Sequence, residues 1–232
     1  MEQEIWYLEN FDFNKILCPV KMEAHVQYTP HSVYHKHDFL FLEKDPCRDI
    51  LLIDRGKVKV GQYDEEGNER IISILGKGEI LGQMGLLGQT QHRAFAEVME
   101  EGTEVCRMSV EKARELSRDY VPFALEMNRR INGHIRKLER RIEILLSRSI
   151  KTRILEFLKD LAYDYGRERN GGLWISHNLT QSDIASIIGT SRKSASLILN
   201  ELENEGLIEF DRRHIFISDP KLLIEDSHTV LA

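Results

Sequence analysis

The hydrophobic period of the chain changes twice along its length. From Phe39 to about Arg107 apolar residues recur as they do in strands. Phe39-Leu-Phe-Leu-Glu, Ile50-Leu-Leu-Ile-Asp, Lys57-Val-Lys-Val-Gly and Arg70-Ile-Ile-Ser-Ile are short runs of β type separated by Asp, Gly, Pro and Asn turns. Their even spacing predicts a β-roll or jelly roll. From about Val110 to Ser147 the period turns helical, with Pro122 best placed near the start of a long helix. Within it Ala124, Asn128, Ile131, Ile135, Leu138, Ile142 and Leu145 alternate spacings of four and three, which is a heptad seam. Arg129, Arg130, Arg136, Lys137, Glu139, Arg140, Arg141 and Glu143 fill the other faces. That pattern favours a two-stranded parallel coiled coil, and so a homodimer, over a single helix packed on the β domain. Asn128 falls at a position where a buried amide fixes register. After Ser149, an N-cap residue type, Ile150, Ile154, Leu155, Phe157, Leu158 and Leu161 begin a further amphipathic helix, so Ser147 to Ser149 reads as a hinge.

Leu179 to Phe210 reads as a helix, a tight turn and a second helix. Thr180 with Asp183 three residues on has capping-box character, Ile184, Ala185, Ile187 and Ile188 supply a buried side, and Gly189 ends the helix. The next helix opens at Ser191, with Ala195, Ile198, Leu199 and Leu202 as its core stripe. Lys193, Ser196, Leu197 and Asn200 lie on the other face. Leu197 has no packing reason to be there, whereas a thymine methyl in the major groove supplies one.

This segment, Leu179-Thr-Gln-Ser-Asp-Ile-Ala-Ser-Ile-Ile-Gly-Thr-Ser-Arg-Lys-Ser-Ala-Ser, resembles the winged helix-turn-helix of the Crp/Fnr family of bacterial transcription regulators. Asp54-Arg-Gly-Lys-Val-Lys-Val, the acidic turn at Asp64 to Asn68 and Gly78-Glu-Ile-Leu-Gly-Gln-Met-Gly-Leu-Leu are similar to that family's sensory β-roll, so the resemblance spans about residues 35 to 220. It implies an α+β fold: a β-roll effector domain over 1–109, a long dimerisation helix and hinge over 110–148, and a winged helix-turn-helix over 149–232. It also implies a homodimer on a double-stranded DNA operator, with RNA polymerase as a further partner. Arg192 stands where family members place a guanidinium on guanine, and its planar fork suits the O6/N7 edge. Lys193 and Leu197 depart from the family's usual Glu and Arg, which leaves the common half-site in doubt. Thr180, Gln181, Ser191, Ser196 and Asn200 complete the expected DNA-facing set, Ser196 and Asn200 to bases or backbone. Arg212 and Arg213, between the strand-like runs Leu207-Ile-Glu-Phe and Ile215-Phe-Ile, are placed at the tip of a wing, on phosphate or simply in a solvated turn.

In cyclic-nucleotide-binding relatives a Glu after Gly binds the ribose, and an Arg before a small residue binds the cyclic phosphate. Here Gly82, Gln83 and Met84 with Arg93 and Ala94 form the corresponding effector set, and Leu138 and Glu139 align with the adenine contacts. Arg93-Ala94 keeps the phosphate feature, but Gln83 loses the charge-assisted bond of a Glu, and the helix positions carry no small hydroxyl. Cyclic AMP is therefore disfavoured and the effector is open. In the alternative reading Arg93 pairs with Glu79 or Glu97 and only holds the roll together.

Composition agrees with this picture without requiring it. A chain of 232 residues, 41% hydrophobic, holds one or two domains with their own cores. Cys18, Cys47 and Cys106 are unclustered, no leader of signal type opens the chain and no run approaches the roughly 20 apolar residues of a membrane span, so a cytoplasmic protein is expected. The net charge of −6 argues against nucleic acid only if the docking face shares it. A second constellation, His25, His31, His35 and His37 with Cys47 beyond, supports another class: a metal-dependent cupin-like enzyme, or a haem or metal sensor. If Tyr34 to Phe41 is a strand, His35 and His37 share a face. The spacing is not that of structural zinc, and three thiols cannot hold a four-thiolate cluster.

Overall fold

The computed structural model describes residues 31–147, 149–169, 171–211 and 213–218. They form two compact units. One runs to Asn68 and resumes from Ile72 to Lys137, and the other takes Glu69–Ile71 and the chain from Leu138 onward.

The first unit is a β-roll. Its strands are β1 His31–Tyr34, β2 Phe39–Phe41, β3 Asp49–Arg55, β4 Val58–Tyr63, β5 Glu69–Leu75, β6 Ile80–Leu81, β7 Phe95–Val98 and β8 Thr103–Ser109. They form two four-stranded sheets, ordered β1-β8-β3-β6 and β2-β7-β4-β5. The unbroken run Ile50-Leu-Leu-Ile has a simple cause. Leu51 and Ile53 join Leu40, Val58, Leu75 and Val105 inside the roll, while Ile50 and Leu52 join Cys106, Met108, Phe123 and Met127 beneath the helices. A strand covered on both faces has no polar half. Each such side chain contributes about 1.5–3 kcal/mol of burial.

Helix α1, Val110–Asp119, opens at Ser109, whose Oγ accepts the Lys112 N–H at 3.2 Å. Helix α2, Val121–Leu146, carries Pro122 in its first turn, where the missing N–H has no helical partner to lose. Phe123 and Met127 bury against the roll, while on the seam Ile135 and Ile142 are 44% and 57% exposed.

The continuous strand from Tyr34 to Phe41 that would put His35 and His37 on one face does not form. β1 ends at Tyr34, and residues 35–38 turn, with His37 at φ 74°. Asp38 closes the turn by accepting the His35 N–H at 2.8 Å, a local bond that competes with strand pairing. His35 and His37 therefore do not converge. His35 Nδ1 pairs with Glu101 and His37 Nδ1 with Glu97 at 2.7 Å. His25 and Cys18 lie outside the described residues, as does the His31 side chain. Among the described residues no three His, Cys, Asp or Glu side chains gather at metal-binding distance.

In the second unit α3, Ile150–Tyr165, opens as expected at Ser149, whose Oγ accepts the Thr152 N–H at 3.4 Å. A hairpin follows, β9 Gly166–Arg169 and β10 Gly172–Ser176, then α4 Gln181–Ile188, α5 Arg192–Asn204, β11 Ile208–Phe210 and β12 His214–Ile217. The four strands make one antiparallel sheet ordered β11-β12-β10-β9. Ile154, Leu158, Ile175, Ile188, Leu199 and Ile215 are almost fully buried. No helix among the described residues is long and apolar enough to cross a membrane.

Candidate functional site

Local chemistry sets the helix-turn-helix. Thr180 and Asp183 cap each other: the Asp183 N–H donates to Thr180 Oγ1 at 3.1 Å, and the Thr180 N–H donates to Asp183 Oδ2 at 2.7 Å. Gly189 ends α4 at φ 65°, and a Cβ there would stand 2.9 Å from Leu145 Cδ2. Leu145, a seam position, thus also lies against this turn. The Arg153 guanidinium donates to the Ile188 and Gly189 carbonyls at 2.9 and 3.0 Å, a cation on the C-terminal end of α4. Sequence reasoning missed Arg153. Its only signal was a positive charge among the apolar positions of α3.

Helix α5 begins after Ser191, whose Oγ accepts the Ser194 N–H at 3.1 Å and meets Ser194 Oγ at 2.9 Å. That hydroxyl is occupied as a cap. Arg192 and Lys193 follow in the first turn, exposed and without an ion-pair partner among the described residues. Two other cations of this unit are neutralised: Lys151 pairs with Glu201 and Glu205, and Arg140 with Glu156 and Asp160. Charge along α5 is thus polarised, with unpaired cations at its start and Glu201, Glu203 and Glu205 at and beyond its far end. The start of α5 is thus locally basic although the chain as a whole is acidic. Leu197 is 67% exposed, Asn200 is exposed, and half-buried Ser196 donates to Gln181 Oε1 at 2.9 Å.

The wing between β11 and β12 is turned by Asp211, whose Oδ1 accepts the Arg213 and His214 N–H groups at 2.6 and 2.8 Å. These bonds hold its carboxyl below the usual carboxylate range. The Arg213 side chain is exposed and unpaired among the described residues, while Arg212 lies outside them. On the edge strand β9, Arg167 and Arg169 add exposed cations that the sequence reading did not single out, and Arg169 stacks 4.9 Å over Trp174. Gly166-Arg-Glu-Arg has no apolar alternation, so nothing marked it as a strand.

The roll holds a cavity of about 170 Å³ lined by Phe41, Val60, Leu75, Leu81 and other apolar residues, with Cys47, Gln83, Gln89, His92 and Arg93 among its polar groups. Gly82, at φ 75°, opens the Gln83–Leu87 3-10 turn, and a Cβ on it would lie 2.2 Å from the Asp49 carbonyl oxygen. Gly82, Gln83, Met84, Arg93 and Ala94 all line the cavity as a group. Its wall from α2 is His134, one turn before the expected Leu138 and Glu139. Burial holds the His134 and His92 rings below the ordinary histidine range. Arg93 does not pair with either expected carboxylate. Glu97 is taken by Lys59 at 2.9 Å and by His37, and Glu79 by Lys137 and the Gly76 N–H.

Comparison with known proteins matches both units. The cyclic nucleotide-binding domain family matches residues 31–120, and the Crp-like helix-turn-helix domain family matches residues 152–225. The chain is 25% identical over 186 residues to a CRP-like cAMP-activated global transcriptional regulator of Mycobacterium tuberculosis, covering 79% of this chain and 82% of that protein. It is 28% identical over 177 residues to the anaerobic regulatory protein of Bacillus subtilis, covering 76% and 74%. In fold it is similar to FixK2 from Bradyrhizobium japonicum, with a TM-score of 0.74 at 19% identity over 86% of this chain and 97% of that one. With two matched domains in the family's order, a β-roll, a long helix and a helix-turn-helix, the chain belongs to the Crp/Fnr family of DNA-binding bacterial transcription regulators.

Proposed function

We propose that the protein works as a homodimer that reads a two-fold symmetric operator through α5, under control of a small effector in the roll cavity. The observation that carries this reading is on α5: Arg192 and Lys193 are exposed and unpaired among the described residues, on the helix that also leaves Leu197 67% exposed. In a major groove Arg192 takes a guanine edge, Leu197 a thymine methyl, Lys193 a guanine or a phosphate, and Asn200 a base or backbone group. Thr180, Gln181 and Ser191, at the helix starts, belong beside the phosphates. The half-exposed seam from Asn128 to Leu145 supports pairing, because apolar heptad positions left in water gain most from a second copy. Two heads then address half-sites one helical turn, about 34–36 Å, apart. RNA polymerase as a partner and a cytoplasmic site of action follow from the family.

Cyclic AMP, which activates the mycobacterial relative by its name, is a poor fit. Gln83 offers no carboxylate to a ribose hydroxyl, and the compartment it lines is mostly apolar. Selection of bound sequences from random DNA, with and without a metabolite extract, tests the whole reading. The expected outcome is an inverted repeat whose enrichment changes with extract. An asymmetric or featureless selection overturns the dimeric readout, and extract-independent enrichment overturns effector control.

A further inference from the structure

The cavity of the roll has an unusual inventory for so small a space. No aspartate or glutamate lines it, and its formal charge is the single positive charge of Arg93. That guanidinium is exposed, and no ion pair engages it among the described residues. Most of the remaining wall is apolar, with Phe41, Val60, Leu75, Ile80 and Leu81 facing one space. On the helical side His134 brings a buried Nδ1 that has no hydrogen-bond partner among the described residues. A buried polar atom without a partner is uncommon and calls for one.

We infer that the effector is a compact apolar monoanion, a short branched or aromatic carboxylate. Its carboxylate sits on Arg93 and a polar substituent on its apolar body meets His134. This deepens the effector reading above and rests on it. The chemistry follows from three constraints. One cation with no competing carboxylate selects one negative charge, and the planar guanidinium forks onto a carboxylate. The apolar compartment of about 170 Å³ takes a compact apolar body, while Arg93 also borders a wider space of about 610 Å³ lined by Glu43, Lys44 and Gln62. The wall formed by Phe41, Val60, Leu75, Ile80 and Leu81 favours an apolar body over a sugar, whose hydroxyls facing it would lose their water bonds. His134 stands on α2, the helix that carries the seam, so a bond from the ligand to its imidazole ties occupancy to that helix.

Titration calorimetry on the full-length protein tests this with benzoate, 4-methylpentanoate, 4-hydroxy-4-methylpentanoate, neutral 4-methylpentanol and cyclic AMP. The carboxylates should bind and the hydroxylated acid should exceed its parent by about tenfold, the scale of one added buried hydrogen bond. Arg93→Ala should weaken all the acids at least tenfold and leave the alcohol unchanged. His134→Leu should erase the advantage of the hydroxyl while leaving 4-methylpentanoate in place, a result that a merely unfolded variant could not give. No binding by any of the acids at millimolar concentration, or tighter binding of cyclic AMP than of every acid, overturns the assignment. The effector-control reading fails separately: it is lost if an acid binds but leaves operator affinity unchanged, and it survives if the acids fail while metabolite extract still alters DNA selection.

Discussion

Ser196 on α5 donates a hydrogen bond from its Oγ to Gln181 Oε1 on α4 at 2.9 Å. Both residues are half-buried, so the bond ties α5 to α4 beside the buried packing of Ile184, Ile188, Ala195 and Leu199. It also holds Gln181 in a single orientation. Ser196→Ala and Gln181→Ala should each weaken operator binding by about 0.5–1.5 kcal/mol, the net value of one such bond. The double variant should cost little more than either single one, because the second change finds the bond already gone. Fluorescence anisotropy on a fixed operator measures the cycle, and strictly additive losses would mean the pair acts as two separate DNA contacts.

Arg192 and Arg213 are both exposed and unpaired among the described residues, yet they should respond to mutation in different ways. Arg192→Ala should cost about 1–3 kcal/mol on the best operator and relax the guanine preference at one position of each half-site. Arg213→Ala, at the wing, should weaken all sequences alike and make the salt dependence shallower by about one per lost phosphate contact. Binding isotherms over a salt series on matched and mismatched sites separate the two. A uniform loss for Arg192→Ala would remove it from base readout.

The fold was legible where local chemistry and burial agree. Thr180, Gly189, Ser191 and Ser149 mark helix ends through their own bonds and dihedrals, so their sequence signatures carry over directly. The turn at His35 to Asp38 was not legible, because the choice between strand and turn depends on Asp38 closing on His35 and on Glu101 and Glu97, more than 50 residues away, receiving the two rings. In the roll, Gln83 and Arg93, singled out by the family resemblance, both line the cavity. His134, which also lines it, was not singled out, since a histidine within the polar faces of a long helix carries no signal of its own. A side chain on a helix is assigned to a cavity only when the packing of Phe123 and Met127 on the roll fixes which face turns inward.

The seam makes a direct claim on assembly. Ile135 is 44% exposed and Ile142 57% exposed on one side of α2, an apolar row that water does not favour. Ile135→Asp would bury a charge opposite its own copy, and unpaired buried charges cost several kcal/mol. Sedimentation at micromolar concentration should show a monomer with an intact roll, and operator affinity should fall because one head reaches one half-site. A dimer that persists in Ile135→Asp would place the interface elsewhere.

The half-buried ring of His134 makes stability depend on pH in a stated direction. Desolvation holds its folded-state pKa below the ordinary 6.5, with Glu79 raising it and Lys137 lowering it further. The ring is neutral in the folded protein and protonates first in the unfolded chain. Above pH 6.5 neither state holds the proton, so the ring contributes no pH dependence there. As pH falls below 6.5 the unfolded state gains protons that the native state refuses, and stability drops by at most about 1.4 kcal/mol per pH unit until the folded pKa is reached. His92, with a pKa lowered by burial in the same cavity, acts in the same sense, but it is present in both proteins of the comparison. Replacing His134 with Leu removes one titrating ring and leaves the carboxylates common to both. The thermal midpoint of the wild type should therefore fall more steeply than that of His134→Leu between pH 7.5 and 5.5, by about 2–4 °C for each kcal/mol of difference. Parallel curves for the two proteins would show that His134 reaches solvent in the folded state and is not a wall of the cavity.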